Sequence, residues 1–216
     1  MEQSPKDPLT PKEVQLQRIK IDREGEVRIR KAAFSEDHNE IIANLYIEYF
    51  TEGHFEYEKN KHIVYMTINT LKEHKESEVV KDLLVLATET LKQNKQITTI
   101  EVCTTFERNW KLWEKLGAQF TLEEGVNRLY LENANWDLMQ EWVNDGREKA
   151  QEEDIELLSF KECPETIIED YTVLYSKIME YVPFGDSAWS PSVITPKDLR
   201  KNEINHKERG FNWLIL

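Results

Sequence analysis

The first 24 residues are polar, hold three of the chain's seven prolines and show little apolar periodicity, the pattern of a tail or an extended arm. From Glu26 the pattern changes. Val27 and Ile29 alternate with Arg28 and Arg30, which predicts a short strand with one face buried. Asp37 and Glu40 stand three apart as an Asp variant of the capping box, and Ile41, Ile42, Leu45, Tyr46 and Tyr49 follow at helical spacing. The first unit therefore reads as strand, then helix. His62 to Asn69 is β-branched and aromatic and predicts a second strand. Val79, Val80, Leu83, Leu84, Ala87 and Leu91 mark the buried stripe of a long helix, with Asn94 as its stop. Ile97 to Cys103 reads as a strand, and Phe106 to Leu116 as a short helix closed by Gly117. Residues 118–122 and 127–131 then predict a hairpin, and Trp136 to Val143 an amphipathic piece running into a charged linker at 145–153.

After the linker the order restarts. Ile155 to Phe160 reads as a strand, and Ile167, Ile168, Tyr171, Leu174, Tyr175, Ile178, Met179 and Val182 as a helix stripe ending before Pro183. Thr195 and Pro196 form an N-cap and N1 pair that opens a helix closing near Gly210. Residues 211–216 are apolar and strand-like, and an apolar edge needs a partner, inside the molecule or in a second copy. The expected division is a tail at 1–24, a first domain at 25–144, the linker, and a partial second unit at 154–216.

Composition narrows the function classes. The chain has 216 residues, 41 acidic against 28 basic, for a net charge of −13. That balance argues against a general nucleic-acid or anionic-membrane binder, whose phosphate contacts need a basic face. Hydrophobic residues at 39% are enough for a real core. Cys103 and Cys163 are too few and too far apart for a zinc site or a disulfide framework, and His38, His54, His74 and His206 show no metal-ligand spacing. No apolar run approaches a membrane span and no signal peptide is visible, so a cytoplasmic location is expected.

The segment from His62 to Leu131, with Trp113-Glu114-Lys115-Leu116-Gly117-Ala118 after a helix, resembles the cofactor-binding part of the GNAT superfamily of acetyl-CoA-dependent N-acetyltransferases. The second part, with Val182-Pro183, Trp189-Ser190-Pro191 and Thr195-Pro196, resembles the opening of the C-terminal half of tandem members. The resemblance implies an α/β fold: a mixed, mostly antiparallel sheet flanked by helices, followed by a partial second GNAT-like unit. It implies acetyl transfer from acetyl-CoA to a primary amine, with no metal. The alternative is a non-catalytic structural or dimerisation module that keeps a GNAT-like sheet and forms a homodimer through its C-terminal strand.

By the same resemblance, the pyrophosphate of acetyl-CoA falls on the loop opening the long helix, here Lys75-Glu76-Ser77-Glu78-Val79-Val80. Lys75 and Ser77 are its candidate cofactor-binding residues. Glu78 and Val80 stand where the family has glycines that let the backbone approach phosphate. A carboxylate about 6 Å from a phosphate charge costs roughly 2.8 kcal/mol at an effective dielectric near 20, so this loop is expected to grip pyrophosphate poorly. Trp113 replaces the Tyr that many members use as general acid, and Phe106 replaces an Asn. For a base, the strand offers His62 and Tyr65. Tyr181, Asp186 and Trp189 fall in the segment that lines the acceptor pocket of family members, and are the candidate substrate contacts.

Overall fold

The computed structural model describes residues 11–21, 23–74, 78–104, 107–123, 129–156 and 158–211. Its centre is a four-stranded mixed sheet in the order β1-β2-β3-β4, formed by Glu26–Phe34, Ile41–Phe50, Ile63–Thr70 and Thr99–Glu101. β1, β2 and β3 are antiparallel neighbours, and β3 pairs in parallel with β4.

β2 corrects the expected helix. Residues 41–50 fit a period of 3.6 in part, yet Ile41, Ile42, Ile47, Tyr46, Tyr49 and Phe50 are β-branched or aromatic, and these pack best on a pleated surface. Asp37 caps no helix. It accepts hydrogen bonds from the Ser35 hydroxyl and from the backbone N–H and side-chain amide of Asn39, and the Ser35 N–H donates to Glu40 O at 2.8 Å, which makes the β1–β2 turn. β2 is followed by the short helix α2, Tyr57–Asn60.

Register divides the sheet into two unlike faces. Ala43, Leu45, Ile47, Val64 and Met66 are buried on one face against Leu83, Ala87 and Trp113. Leu83 and Ala87 lie on the helix Glu78–Lys92 (α3), whose apolar stripe is the one read from the sequence. Trp113 belongs to Glu107–Lys115 (α4), after which Gly117 takes φ +91 as expected of a helix-stopping glycine. The other face carries the polar row Glu26, Arg28, Glu48, Tyr65 and Glu101, together with Tyr46, Phe50 and the buried Ile63.

Several other expectations change. Part of the predicted tail is helical, as Lys12–Lys20 (α1). Residues 118–123 and 129–131 contain no strand, so neither described arm of the predicted hairpin is one, and residues 124–128 lie outside the description. The expected linker at 145–153 continues the helix Trp136–Glu152 (α5), which Asn135 caps by accepting from Leu138 N–H. Phe160 makes only an isolated bridge where a strand was predicted at 155–160. Residues 212–216, on which strand exchange depends, lie outside the described residues.

The helices Ile168–Met179 (α6) and Pro196–Glu208 (α7) agree with the sequence. Thr195 and Asp198 form a reciprocal capping box at the start of α7. A small core of Cys163, Ile168, Ile194 and Leu199 holds the two helices, with Phe55 of the β2–β3 connection packed against it. Glu203, 8% exposed, locks this core by accepting from Cys163 N–H at 2.7 Å and pairing with Arg200 at 2.6 Å. Cys103 and Cys163 are both unpaired thiols.

Candidate functional site

The polar face of the sheet is the first part of the site. Arg28, Glu48, Tyr65 and Glu101 are register partners across β1, β2, β3 and β4, so their side chains form one row on one face. Beside that row Glu26 is clamped by Arg23 at 2.8 Å and faces His54 Nε2 at 3.6 Å. Burial pushes the Glu26 carboxyl up, but hydrogen bonding to His54 and Arg23 overrides it and leaves the group below the usual carboxylate range. Glu48 goes the other way: burial, then the Glu26 charge, raise it, against the pull of Arg23, Arg28 and Arg30. Burial also raises the Tyr65 hydroxyl, helped by Cys103 and Glu48.

A raised carboxyl binds its proton more tightly in the folded than in the unfolded chain. Its contribution to stability is therefore full below the ordinary carboxylate pKa and declines as pH rises through the higher folded value. Glu48→Gln is expected to raise the melting temperature at pH 7, with the gain shrinking as the pH falls toward 4. Thermal unfolding of both proteins across that range checks this, and an equal difference at every pH would remove titration of Glu48 as the cause.

The second part is where β3 and β4 separate. They pair only at Ile63/Thr99, Val64/Ile100 and Tyr65/Glu101, after which β4 ends and β3 continues to Thr70. The Leu71 N–H donates to Ile42 O at 2.9 Å, which fixes the phase of the antiparallel β2–β3 ladder. Odd residues of β3 bond to β2, so the backbone N–H and C=O groups of Met66, Ile68 and Thr70 point to the side that β4 has left.

The third part is a cavity of about 100 Å³ lined by Phe55, Glu56, Tyr175, Phe184, Trp189 and Ser192, among others. The loop between α6 and α7 connects it to the sheet. Ser187 Oγ and Ala188 N–H donate to Glu101 Oε1 at 3.1 and 3.0 Å. Two residues on, Ser190 N–H donates to Asn60 Oδ1 at 2.9 Å, and Asn60 Nδ2 returns a bond to Ser190 O at 3.1 Å. Asn60 is fully buried.

Of the residues read from the sequence, Lys75 and Ser77 lie outside the described residues. Val80 packs in the core and Glu78 pairs with Lys81 at 2.5 Å on the surface. Trp189 lines the cavity and meets Phe50 edge to face at 5.7 Å. Tyr181 is 79% exposed and Asp186 is also exposed; neither lines the cavity. Trp113 is a core residue, and Phe106 lies outside the described residues. Sequence reasoning missed Glu48, Glu56, Asn60, Glu101 and Ser192. The period-2 alternation at Tyr46, Glu48 and Phe50, matching Arg30, Arg28 and Glu26, was the signal available for Glu48. No group of His, Cys, Asp or Glu among the described residues is arranged to hold a metal ion, and no described helix is long and apolar enough to cross a membrane.

No protein-family model and no curated protein sequence matches the chain. Solved structures do. One is a mutant of the BH1408 protein from Bacillus halodurans, 13% identical, with a TM-score of 0.38 over 50% of this chain and 68% of that one. Another is a predicted acetyltransferase with acetyl-CoA from Clostridium acetobutylicum, 18% identical, with a TM-score of 0.35 over 50% and 67%. A third is an aminoglycoside acetyltransferase from an uncultured soil metagenomic sample in complex with sisomicin, 19% identical, with a TM-score of 0.35 over 58% and 76%. Each of these likenesses covers 50–58% of this chain with a TM-score below 0.4.

Proposed function

We propose that this GNAT-like chain is an acyl-transfer module that moves an acetyl group from acetyl-CoA to a primary amine. The observation that carries the reading is the open edge of β3. Among the described residues, Met66, Ile68 and Thr70 have no strand partner on that side, a row of backbone donors and acceptors that suits an extended amide-bearing arm adding to the sheet like another strand. The thioester supplies an activated acetyl group; the N–C bond forms as the C–S bond breaks, and the amine gives up a proton.

The chain's own groups fit that chemistry at the point where the strands part. Tyr65 stays protonated at neutral pH and can donate its hydroxyl proton to a departing thiolate. Glu101, anchored by Ser187 and Ala188, is a carboxylate beside the same point and can accept a proton from the incoming ammonium. The pyrophosphate is gripped less well, because Glu78 and Val80 replace glycines and Val80 is committed to the core. Recognition then rests on the arm.

Titration calorimetry of the full chain with acetyl-CoA tests this. Weak saturable binding is expected, reduced about tenfold by Thr70→Pro, roughly the worth of a lost hydrogen bond. Proline is tolerated there because the missing N–H faces the open edge and not the β2 ladder. Unchanged affinity in Thr70→Pro would sink the edge-binding reading.

Val80 also favours a second reading. A buried valine cannot serve as a phosphate-approach glycine, which suits a non-catalytic module that keeps the sheet for structural support. In that reading acetyl-CoA does not bind, and the chain self-associates through residues 211–216. Sedimentation velocity should then show a dimer that truncation after Gly210 abolishes; a monomer at high concentration removes this reading.

A further inference from the structure

We infer that the junction of α1, β1 and the end of α7 binds the phosphate-monoester dianion of a small metabolite, gripped by the outer guanidinium N–H groups of Arg18 and Arg209. The site lies at the β1 edge of the sheet, the far edge from the open side of β3, and it does not rest on the acyl-transfer reading.

The fold gathers two guanidinium groups around one ring. Gln17 Nε2 donates to Glu208 O at 2.6 Å, which ties α1 to the end of α7. The neighbouring residues then meet at Phe211: the guanidinium carbons of Arg18 and Arg209 stand 4.4 and 4.6 Å from its ring centroid. A guanidinium held over a ring keeps its in-plane N–H groups for other partners. Here no protein group takes them. Among the described residues neither arginine makes an ion pair or donates a hydrogen bond; the two Nε atoms are buried, and the outer N–H groups are open to solvent.

Neighbouring charges add to this excess instead of cancelling it. Arg23 and Arg28 converge on the same place, where Glu26, held by Arg23 at 2.8 Å, faces them. Burial, then Arg23, Arg18 and Arg28, push the Arg209 guanidinium down, with Glu26 pulling the other way, yet an arginine stays charged at neutral pH. Arg30 and Glu48 act on Arg28 in opposite senses, and Glu24 is taken by Lys201 at 2.9 Å. His206, edge to face with Phe211, is pushed down by burial and by Arg209 and Arg23, so it adds no charge. The C-termini of α1 and α7 supply roughly half a negative charge each, which with Glu26 leaves an excess of about two positive charges from the four arginines.

That excess selects the ligand. A phosphate monoester carries a charge of about −1.5 to −2 at neutral pH and three acceptor oxygens, a match for two guanidinium forks. A carboxylate or a sulfate ester brings a single charge. Nucleic acid needs an extended basic face, and the chain's net charge of −13 repels a polyanion beyond this junction.

The full chain is titrated with methyl phosphate, and with methyl sulfate, which has the same shape and one charge fewer, at a pH above the second phosphate pKa of about 6. Calorimetry and the arginine Nε–H NMR signals are the readouts. Saturable methyl phosphate binding is expected, with methyl sulfate about tenfold weaker or more. Arg18→Gln and Arg209→Gln should each weaken methyl phosphate about tenfold, and Arg147→Gln, on the exposed surface of α5, should leave it unchanged. Arg209→Gln should also raise the melting temperature of the ligand-free chain by relieving repulsion among the arginines, where loss of a purely structural arginine would lower it. The inference is overturned by the absence of methyl phosphate binding, by equal binding of methyl sulfate, or by unchanged affinity in both glutamine variants. Tighter binding of an unphosphorylated octathymidylate would assign the patch to nucleic acid, and displacement of methyl phosphate by acetyl-CoA would assign it to the cofactor cleft; either result also overturns it.

Discussion

Replacing Ile47 by alanine should lower the unfolding free energy by about 3–4 kcal/mol, the usual cost of a large-to-small change in a core that cannot collapse around the gap. Ile47 is fully buried at the centre of β2, with Leu45, Val64, Met66 and Leu83 in the same cluster. Leu45→Ala should cost a similar amount, whereas Asn44→Ala, on the opposite face and bonded only to the exposed Asn69, should stay within about 0.5–1 kcal/mol. This period-2 profile is measured by urea unfolding. It separates the strand from the helix that the sequence pattern favoured, because in that helix Ile47 would lie off the apolar stripe. A loss below about 1 kcal/mol at Ile47, with large losses at Ile41 and Tyr46, would refute the strand.

Asn60→Ala is expected to cost about 2–4 kcal/mol, from two buried polar groups at roughly 1–3 kcal/mol each when left unpaired. Its side chain satisfies both the N–H and the C=O of Ser190, so no single backbone group can replace it. The effect should also be local. Ser190 follows Trp189, which lines the cavity, and precedes Pro191 and Ser192, so loss of the Asn60 anchor should speed hydrogen exchange across 187–192. Asn60→Asp keeps the acceptor but puts a carboxylate against the Ser190 carbonyl, and should be at least as damaging. If Asn60→Ala lowers stability while exchange at 187–192 stays unchanged, the anchor role is wrong even though the residue is buried.

The elements legible in the sequence were those with local causes. The α3 stripe repeats at helical spacing over four turns, the Thr195–Pro196 pair opens α7 from adjacent residues, and Gly117 ends α4 by its own backbone freedom. β2 was misread because Ile41, Ile42, Leu45, Tyr46 and Tyr49 match a helical period, while β-branching and cross-strand partners decide the outcome. That error hid half of the polar row. Read as a helix, residues 41–49 give Glu48 no relation to Arg28 or Tyr65; as a strand, they align all three. The charged run at 145–153 failed differently: it is rich in good helix formers, and α5 simply continues through it.

A mixed α/β chain, its long helix and the cap of α7 follow from the amino-acid pattern alone, because each depends on residues within a turn or two of one another. That pattern also singled out Trp189, which lines the cavity. Which face of the sheet carries the charged row, where β3 is left without a neighbour, and that Asn60 meets Ser190 across 130 residues of chain all follow from long-range contacts. The physical reason is common to all three: sheet pairing and cavity lining join residues far apart in sequence, and nothing in a local pattern records which strand will lie beside which.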